Sequence, residues 1–241
     1  MKKKILIFGA SSDVGLFLSK KLLQKNFLVI LTSSSKKKLT ILKKKFSNQN
    51  FRFEKVNFLK DENKISKLIL KYGKFDHIYI IPSLTIKNQL ITSNENINKL
   101  IKINLSFYIH FLNLLNRKKK LSNCHIHFIS SIAAIRSRGK NTIYASCKIA
   151  LEFYLKGLQH KNANNNLNVS IIRLGFIDNF RQRTNKIKFI TPVKPNLIAN
   201  YLFKNLENQI ITYYPFYWYF ISCLLKIIPN QIYKKMQFLN N

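Results

Sequence analysis

Lys4-Ile-Leu-Ile-Phe-Gly9-Ala-Ser-Ser-Asp-Val-Gly15 is an apolar run that empties directly into a glycine-bearing turn. A short continuous apolar segment bounded by a turn reads as a buried β-strand, and the spaced apolar positions of residues 14–25 read as the helix that follows it. Gly9 suits the tight turn, and Gly15 lets the helix approach the sheet closely. The amides from Ser11 through Ser12 and Asp13 to Val14 open the helix N-terminus, where backbone N–H groups and the helix dipole favour a pyrophosphate. Asp13 stands where many such loops carry a middle glycine, and a carboxylate there is expected to turn aside and cap the helix.

The same alternation continues outward to the end of the chain. Strands are expected near 4–9, 27–32, 51–57, 75–81, 124–130, 168–174 and 209–213, and helices over 14–25, 36–46, 61–72, 94–118, 142–161 and 195–206. Repeated βαβ units of this kind define the α/β class, here a Rossmann-type doubly wound parallel sheet. At 241 residues the chain can bury a full core without a second domain. Residues 1–214 are read as the dinucleotide-binding domain, and 215–241 as a C-terminal helical tail packed on that domain or on a membrane surface.

Composition narrows the function classes. The 42 basic against 9 acidic residues give a formal charge of +33, which in general attracts polyanions. Lysine is spread over every element rather than gathered on one surface, so a genome-wide codon bias is the preferred account, with attraction for phosphate or anionic lipid the alternative, and a dedicated nucleic-acid module is disfavoured. Cys124, Cys147 and Cys223 show neither paired nor metal-type spacing, which suits a reducing cytoplasm. Met1-Lys-Lys-Lys4 ahead of Ile5–Phe8 imitates a secretory signal, but the apolar run is too short and lacks a small-residue cleavage site.

The chemistry-bearing residues lie further on. Tyr144 and Lys148, in Tyr144-Ala-Ser-Cys-Lys148, share one helix face, so an ammonium can sit beneath the phenol and favour its ionised form. A free tyrosine titrates near ~10 and is a poor acid–base catalyst at neutral pH without such help. Ser131 follows an apolar strand at the C-terminal edge of the sheet, where open α/β folds place their chemistry. Its hydroxyl can bind a substrate oxygen while Tyr144 donates a proton to it. Asn104, on the long fourth helix, can hold water near Lys148 through its side chain or its backbone carbonyl. Together with the glycine turn these residues describe an NAD(P)-dependent carbonyl reductase. The end of the second strand, Thr32-Ser33-Ser34-Ser35-Lys36-Lys37, has no acidic residue for the ribose hydroxyls of NAD; Ser33, Ser34 and Lys36 would tolerate the 2′-phosphate of NADP.

On these residues the chain resembles the short-chain dehydrogenase/reductase family over nearly its whole length: the glycine turn, Asn104, Ser130-Ser131, Tyr-x-x-x-Lys and Arg173-Leu-Gly175. The resemblance implies that Asn104, Ser131, Tyr144 and Lys148 form a catalytic tetrad. It also implies that Tyr144 and Lys148 contact the cofactor, Lys148 through the nicotinamide ribose, and that the enzyme is a homo-oligomer paired through its fourth and fifth helices. There are three departures: Ile80-Ile81-Pro82-Ser83 replaces Asn-Asn-Ala-Gly after strand four, Asn57 replaces an Asp after strand three, and Leu174 replaces a Pro after Arg173. Asn57 remains a cofactor-contact candidate. Ser131-Ile-Ala-Ala-Ile-Arg136-Ser-Arg138 and the tail Tyr214-Pro-Phe with Leu224-Leu-Lys-Ile-Ile-Pro-Asn-Gln-Ile-Tyr-Lys-Lys235 resemble a narrower subgroup, the decaprenylphosphoryl-2-keto-pentose reductases. That likeness implies a keto sugar on a polyprenyl phosphate, a partner oxidase that generates the ketone, and a place in cell-envelope polysaccharide biosynthesis. Arg136 and Arg138 would then meet the substrate phosphate, or else form a solvated basic loop.

The tail from Pro215 to Phe238 carries Phe216, Tyr217, Trp218, Tyr219 and Phe220, followed by Lys226, Lys234 and Lys235. Its uncharged part, Ile210 to Leu225, is shorter than the ~20 residues that span a bilayer. Rings with flanking lysines suit the headgroup boundary, which would place a cytoplasmic enzyme peripherally on the inner face of the membrane. A cover over the substrate pocket or a dimer interface fits the same residues. His125 and His127 share a strand face without a carboxylate or third ligand spaced to join them, so no metal is expected. His77 and Tyr79 are read as core or pocket lining, and Arg181, Arg183, Lys186 and Lys188 as an anion-binding segment after strand six. A non-catalytic dinucleotide-binding regulator would keep the glycine turn and lose the tetrad, whereas all four members are present.

Overall fold

The computed structural model describes residues 2–35, 51–59, 62–86, 93–137, 139–178 and 191–236, with positions 40 and 44. Its strands are β1 (Lys4–Phe8), β2 (Leu28–Ser33), β3 (Phe51–Lys55), β4 (His77–Ile80), β5 (His125–Ser131), β6 (Asn168–Leu174) and β7 (Ile211–Tyr214). They form one seven-stranded sheet in the order β3-β2-β1-β4-β5-β6-β7, with every neighbouring pair parallel. The order reverses between β1 and β4, so the crevice beyond their carboxyl ends is the ligand-binding position of such a sheet.

The inner strands β1, β2, β4, β5 and β6 are buried along nearly their whole length because both sheet faces are covered there, while the edge strand β3 alternates Phe with charged residues. Leu6, Phe8, Ile30, Ile78, Ile80, Ile126, Phe128, Val169 and Ile171 pack against α2 (Glu62–Tyr72), α4 (Phe107–Arg117) and α5 (Thr142–Lys161). Ile5, Ile7, Val29, Leu31, Ile129, Ile172 and Leu174 pack against α1 (Asp13–Leu23) and α6 (Pro195–Lys204). Burial of each such side chain contributes about 1.5–3 kcal/mol. Phe8 anchors the first face, with edge-on contacts to Phe107, Tyr108 and Phe111 at centroid distances of 5.6, 5.7 and 5.0 Å. The helix expected over 36–46 lies almost wholly outside the described residues.

Two boundaries differ from the sequence reading in ways that bear on the site. β5 runs one residue further than expected, so Ser131 ends the strand instead of following it. The single helix expected over 94–118 is instead α3 (Asn94–Ile101) and α4, joined by a π turn over Lys102–Ser106. Asn104 sits inside that turn. Its Nδ2 donates to the Leu100 carbonyl four residues back at 2.9 Å, and a side chain competing for that carbonyl favours a break in the helical ladder.

The tail forms α7 (Tyr217–Ile227) and α8 (Asn230–Tyr233). Trp218 is buried edge-on to Phe176, with ring centroids 5.6 Å apart. Its indole nitrogen presses on Gly175: a Cβ built there would lie 1.8 Å from Nε1. No helix of the described residues is long and apolar enough to cross a membrane.

Candidate active site

The turn after β1 is shaped by its glycines. Gly9 holds φ +82°, and a Cβ there would also strike the ring of Pro82 at 2.8 Å. A Cβ on Gly15 would lie 2.2 Å from the Gly9 carbonyl oxygen, so only glycine admits α1 this close to the strand end. Ser12 caps the helix: its Oγ accepts from the Gly15 amide at 3.1 Å and donates to the Gly9 carbonyl at 2.8 Å. This corrects the expectation for Asp13, which is not the cap. Ser12, extended at φ −77° and ψ 160°, brings its short hydroxyl to the amide three residues on, while Asp13 occupies the exposed first turn beside the positive end of the helix dipole. Val14 is buried beneath the turn. At the end of β2, the Ser33 hydroxyl donates to Ser11 Oγ at 2.8 Å, which ties the two loops together, and Ser34 is exposed beside it. Asn57, beyond β3, accepts the Leu59 amide on Oδ1 at 3.0 Å. Lys36 lies outside the described residues.

Across the switch point, β5 and the first turns of α5 assemble the second half of the site. Ser131 Oγ accepts from the Ala133 amide at 3.1 Å, which fixes the hydroxyl and leaves its proton to donate. Tyr144 is largely buried. Lys148, one turn later, is 1 % exposed; its Nζ donates to the Ile129 carbonyl at 2.9 Å and lies 5.7 Å from the Tyr144 ring centroid. Burial pulls the Lys148 amine down to about 7, against an upward pull from the Glu152 carboxylate. Asn104 departs from one of the roles expected of it: its side chain is bound to Leu84, accepting that residue's amide at 3.0 Å and donating to its carbonyl at 2.9 Å. Backbone pairing absorbs the side-chain amide, so of the two Asn104 groups expected to hold water the backbone carbonyl remains the candidate.

Sequence reasoning left Arg136 between a substrate phosphate and a solvated basic loop, and the structure gives it a different place. Its guanidinium donates to the carbonyls of Leu225 and Ile228, the latter at 2.6 Å, and to Asn230 Oδ1 at 2.7 Å, with the Tyr233 ring stacked 3.9 Å away. Carbonyls left open at the C-terminus of α7 attract a cation, so Arg136 fastens the tail to the loop between Ser131 and Tyr144. Arg138, Arg181, Arg183, Lys186 and Lys188 lie outside the described residues.

The histidines also differ from expectation. His77 joins His125 and His127, all buried, with one ring nitrogen of each within 4.8 Å of the others. Strand pairing supplies this third histidine, which linear spacing does not reveal: His77 lies directly across from His125. The rings of His125 and His127 stack at 4.0 Å and 23°, whereas metal-binding lone pairs lie in the ring plane. His77 Nδ1 and His127 Nε2 lie 3.2 Å apart, and His125 Nε2 is 2.8 Å from Ser170 Oγ, so the cluster is a hydrogen-bonded core stack. Two further features escaped the sequence reading. Ser130 and Arg173 converge on Glu152, whose four-residue spacing from Lys148 was the available signal. Trp218 Nε1 and Ser222 Oγ are buried without a hydrogen-bond partner on the inward face of α7.

A glycine turn at the end of β1, with a serine, tyrosine and lysine at the end of β5 on the same sheet edge, is the arrangement expected of a dinucleotide-binding oxidoreductase. The family model described as short chain dehydrogenase matches residues 3–188, and the chain belongs to that family. It is 30% identical over 181 residues to the 3-oxoacyl-acyl-carrier-protein reductase of Rickettsia conorii, covering 73% of this chain and 73% of that one. Among solved structures, a short-chain dehydrogenase from Streptomyces avermitilis aligns with a TM-score of 0.77 at 17% identity, over 94% of this chain and 93% of that chain. A gluconate 5-dehydrogenase from Burkholderia cenocepacia, in complex with NADP and tartrate, aligns with a TM-score of 0.74 at 14% identity, over 88% and 94% of the two chains.

Proposed function

We propose that the protein is an NAD(P)H-dependent carbonyl reductase in which Ser131, Tyr144 and Lys148 do the chemistry with Asn104 in support. The observation that carries this is Lys148, an amine 1 % exposed beneath a tyrosine ring and bonded to Ile129 near the carboxyl end of β5, the sheet edge that also carries the glycine turn. The cradle suits a dinucleotide, since Gly9 and Gly15 exclude any Cβ and the amides from Ser11 to Val14 open the N-terminus of α1. Ser33, Ser34 and Asn57 border the adenosine end, and the lack of an acidic residue after β2 favours NADP over NAD.

The cofactor, when bound, supplies the hydride. Ser131 donates a hydrogen bond to the substrate carbonyl oxygen, which polarises it and fixes its place. Tyr144 passes its phenolic proton to that oxygen as negative charge develops there, and the Lys148 ammonium favours the phenolate left behind. The Asn104 carbonyl in the π turn holds the water through which Tyr144 regains a proton. Tyr144→Phe is expected to abolish NADPH oxidation while leaving NADPH affinity, read from its fluorescence, nearly unchanged; retained turnover overturns the acid–base assignment.

For the substrate we favour a keto sugar on a polyprenyl phosphate, formed by a separate oxidase. The tail supports this: Phe216, Tyr217, Tyr219, Phe220, Leu224 and Ile227 are exposed on or beside α7, with Lys226 among them, a surface suited to anionic lipid. An acyl carbonyl is the second reading, favoured by the Rickettsia relative's name. Exposed Ile149 and Phe153 on α5 support pairing of two copies through that helix. A panel of lipid-linked and free keto sugars and acetoacetyl-coenzyme A, assayed by NADPH oxidation, decides between the substrate readings. Deletion of residues 215–241 is expected to release the protein from anionic vesicles.

A further inference from the structure

The ammonium of Lys148 lies in surroundings that do not account for its charge. Its partner on β5 is the Ile129 carbonyl at 2.9 Å, and the Phe128 and Tyr144 ring centroids lie 4.8 and 5.7 Å from it. One carbonyl and two ring contacts do not replace the hydration of a fully buried cation, and such a group tends to shed its proton. One turn further along α5, Glu152 is equally buried. Its Oε1 accepts from Ser130 Oγ at 2.6 Å, and Arg173 closes a fork on it, with Nη2 2.6 Å from Oε2 and Nε 3.1 Å from Oε1. Arg173 is held in turn by the Tyr213 hydroxyl at 3.2 Å, with that ring 5.2 Å below the guanidinium.

The arrangement links β5, α5, β6 and β7 at the level of the reacting groups. A buried Glu–Arg pair gives a fold little net stability that apolar packing would not also give, so its place beside Lys148 asks for another reason. We propose that Glu152 is a positioning residue that keeps Lys148 in its ammonium form, and that Ser130 and Arg173 hold the Glu152 side chain in place on α5. This rests on the roles given to Tyr144 and Lys148 above. On α5 the titratable groups beside Lys148 are Glu152 and the Cys147 thiol, which favour its charged form, and the Tyr144 phenol, whose ring lies 5.7 Å away. The π turn that carries neutral Asn104 packs on α5, Arg173 addresses Glu152 from β6 and is itself bound to Tyr213 on β7, and α3, also packed on α5, carries Glu95 and Lys99.

The test is Glu152→Gln, which is isosteric and keeps an amide oxygen to accept from Ser130 or Arg173; near-ultraviolet circular dichroism confirms its fold. The readouts are the pH dependence of NADPH affinity, followed by NADPH fluorescence, and of kcat/KM for phenanthrenequinone reduction. With the carboxylate charge gone, the alkaline limb of both profiles is expected to move to lower pH by about one unit, an effect of about tenfold above the limb and none below it. Glu152→Asp should restore the limb. Arg173→Gln, which leaves the carboxylate less neutralised, should move the limb to higher pH and decides the matter if Glu152→Gln fails to fold. Equal loss at every pH, or a limb that stays in place in either variant, overturns the proposal. Lys148→Ala separates the two levels. If that variant keeps wild-type turnover, the catalytic reading fails; if it is inactive and Glu152→Gln keeps the wild-type profile, the positioning role alone fails.

Discussion

Lys148→Met should make the protein more stable while destroying its activity. A buried amine held at about 7, against the usual lysine value of 10.5, binds its proton less readily folded than unfolded. At about 1.4 kcal/mol per pH unit, that gap corresponds to ~5 kcal/mol of destabilisation at pH values well below 7. Methionine keeps the unbranched stem and removes the charge, but it leaves the Ile129 carbonyl without its donor, which costs about 1–3 kcal/mol. A net gain of about 2–4 kcal/mol remains at pH 6, and for a domain of this size it should raise Tm by about 5–10 °C. The sign with pH follows from the lowered value: between about 7 and 10.5 the unfolded chain holds the extra proton, so wild-type stability rises with pH there. The variant lacks this slope, so its advantage should vanish between about pH 8 and 10, and at pH 10 it should melt no higher than the wild type. Thermal denaturation of the cofactor-free proteins by circular dichroism at pH 6, 8 and 10 provides the measurement. Equal melting temperatures at pH 6, or parallel slopes in both proteins, would refute the claim that the fold bears a cost for its catalytic charge.

Three further outcomes are expected. Gly15→Ala places a Cβ 2.2 Å from the Gly9 carbonyl oxygen, so α1 must retreat; a loss of about 1–3 kcal/mol in urea denaturation and a fall in NADPH affinity of at least tenfold should follow, and unchanged affinity would show that the turn does not seat the cofactor. Arg136→Ala frees the carbonyls of Leu225 and Ile228, and limited proteolysis should cut the tail many times faster than in the parent; equal rates would mean that Trp218 alone holds α7. Burial holds His125 at about 4 and His127 well below its ordinary value, so the unfolded state takes up protons first on acidification, and stability should fall as pH drops from 6.5 towards 4. His127→Phe should flatten that fall, and a denaturation series showing the same acid slope in both proteins would count against it.

Much of the architecture was legible in the chain because both faces of the inner sheet are covered: the inner strands had to be apolar-rich, and each helix had to show an apolar stripe towards one face. The glycine turn was legible for a local reason, since Gly9 needs positive φ and Gly15 must touch the strand end. The pairing of Tyr144 with Lys148 was equally local, because four residues of helix bring two side chains onto one face. What only the tertiary structure decided were contacts made by backbone groups and between distant strands. Asn104 spends its amide on Leu84, Arg136 goes to the carbonyl end of α7 instead of outward to a phosphate, and Ser12 takes the cap from Asp13. His77 meets His125 through strand register, and Arg173 meets Glu152 across a strand-to-helix interface. A sequence displays residue types and their local period, whereas an unfilled donor or acceptor appears only once the chain has folded, and at this site those groups determine where each charged and amide side chain settles.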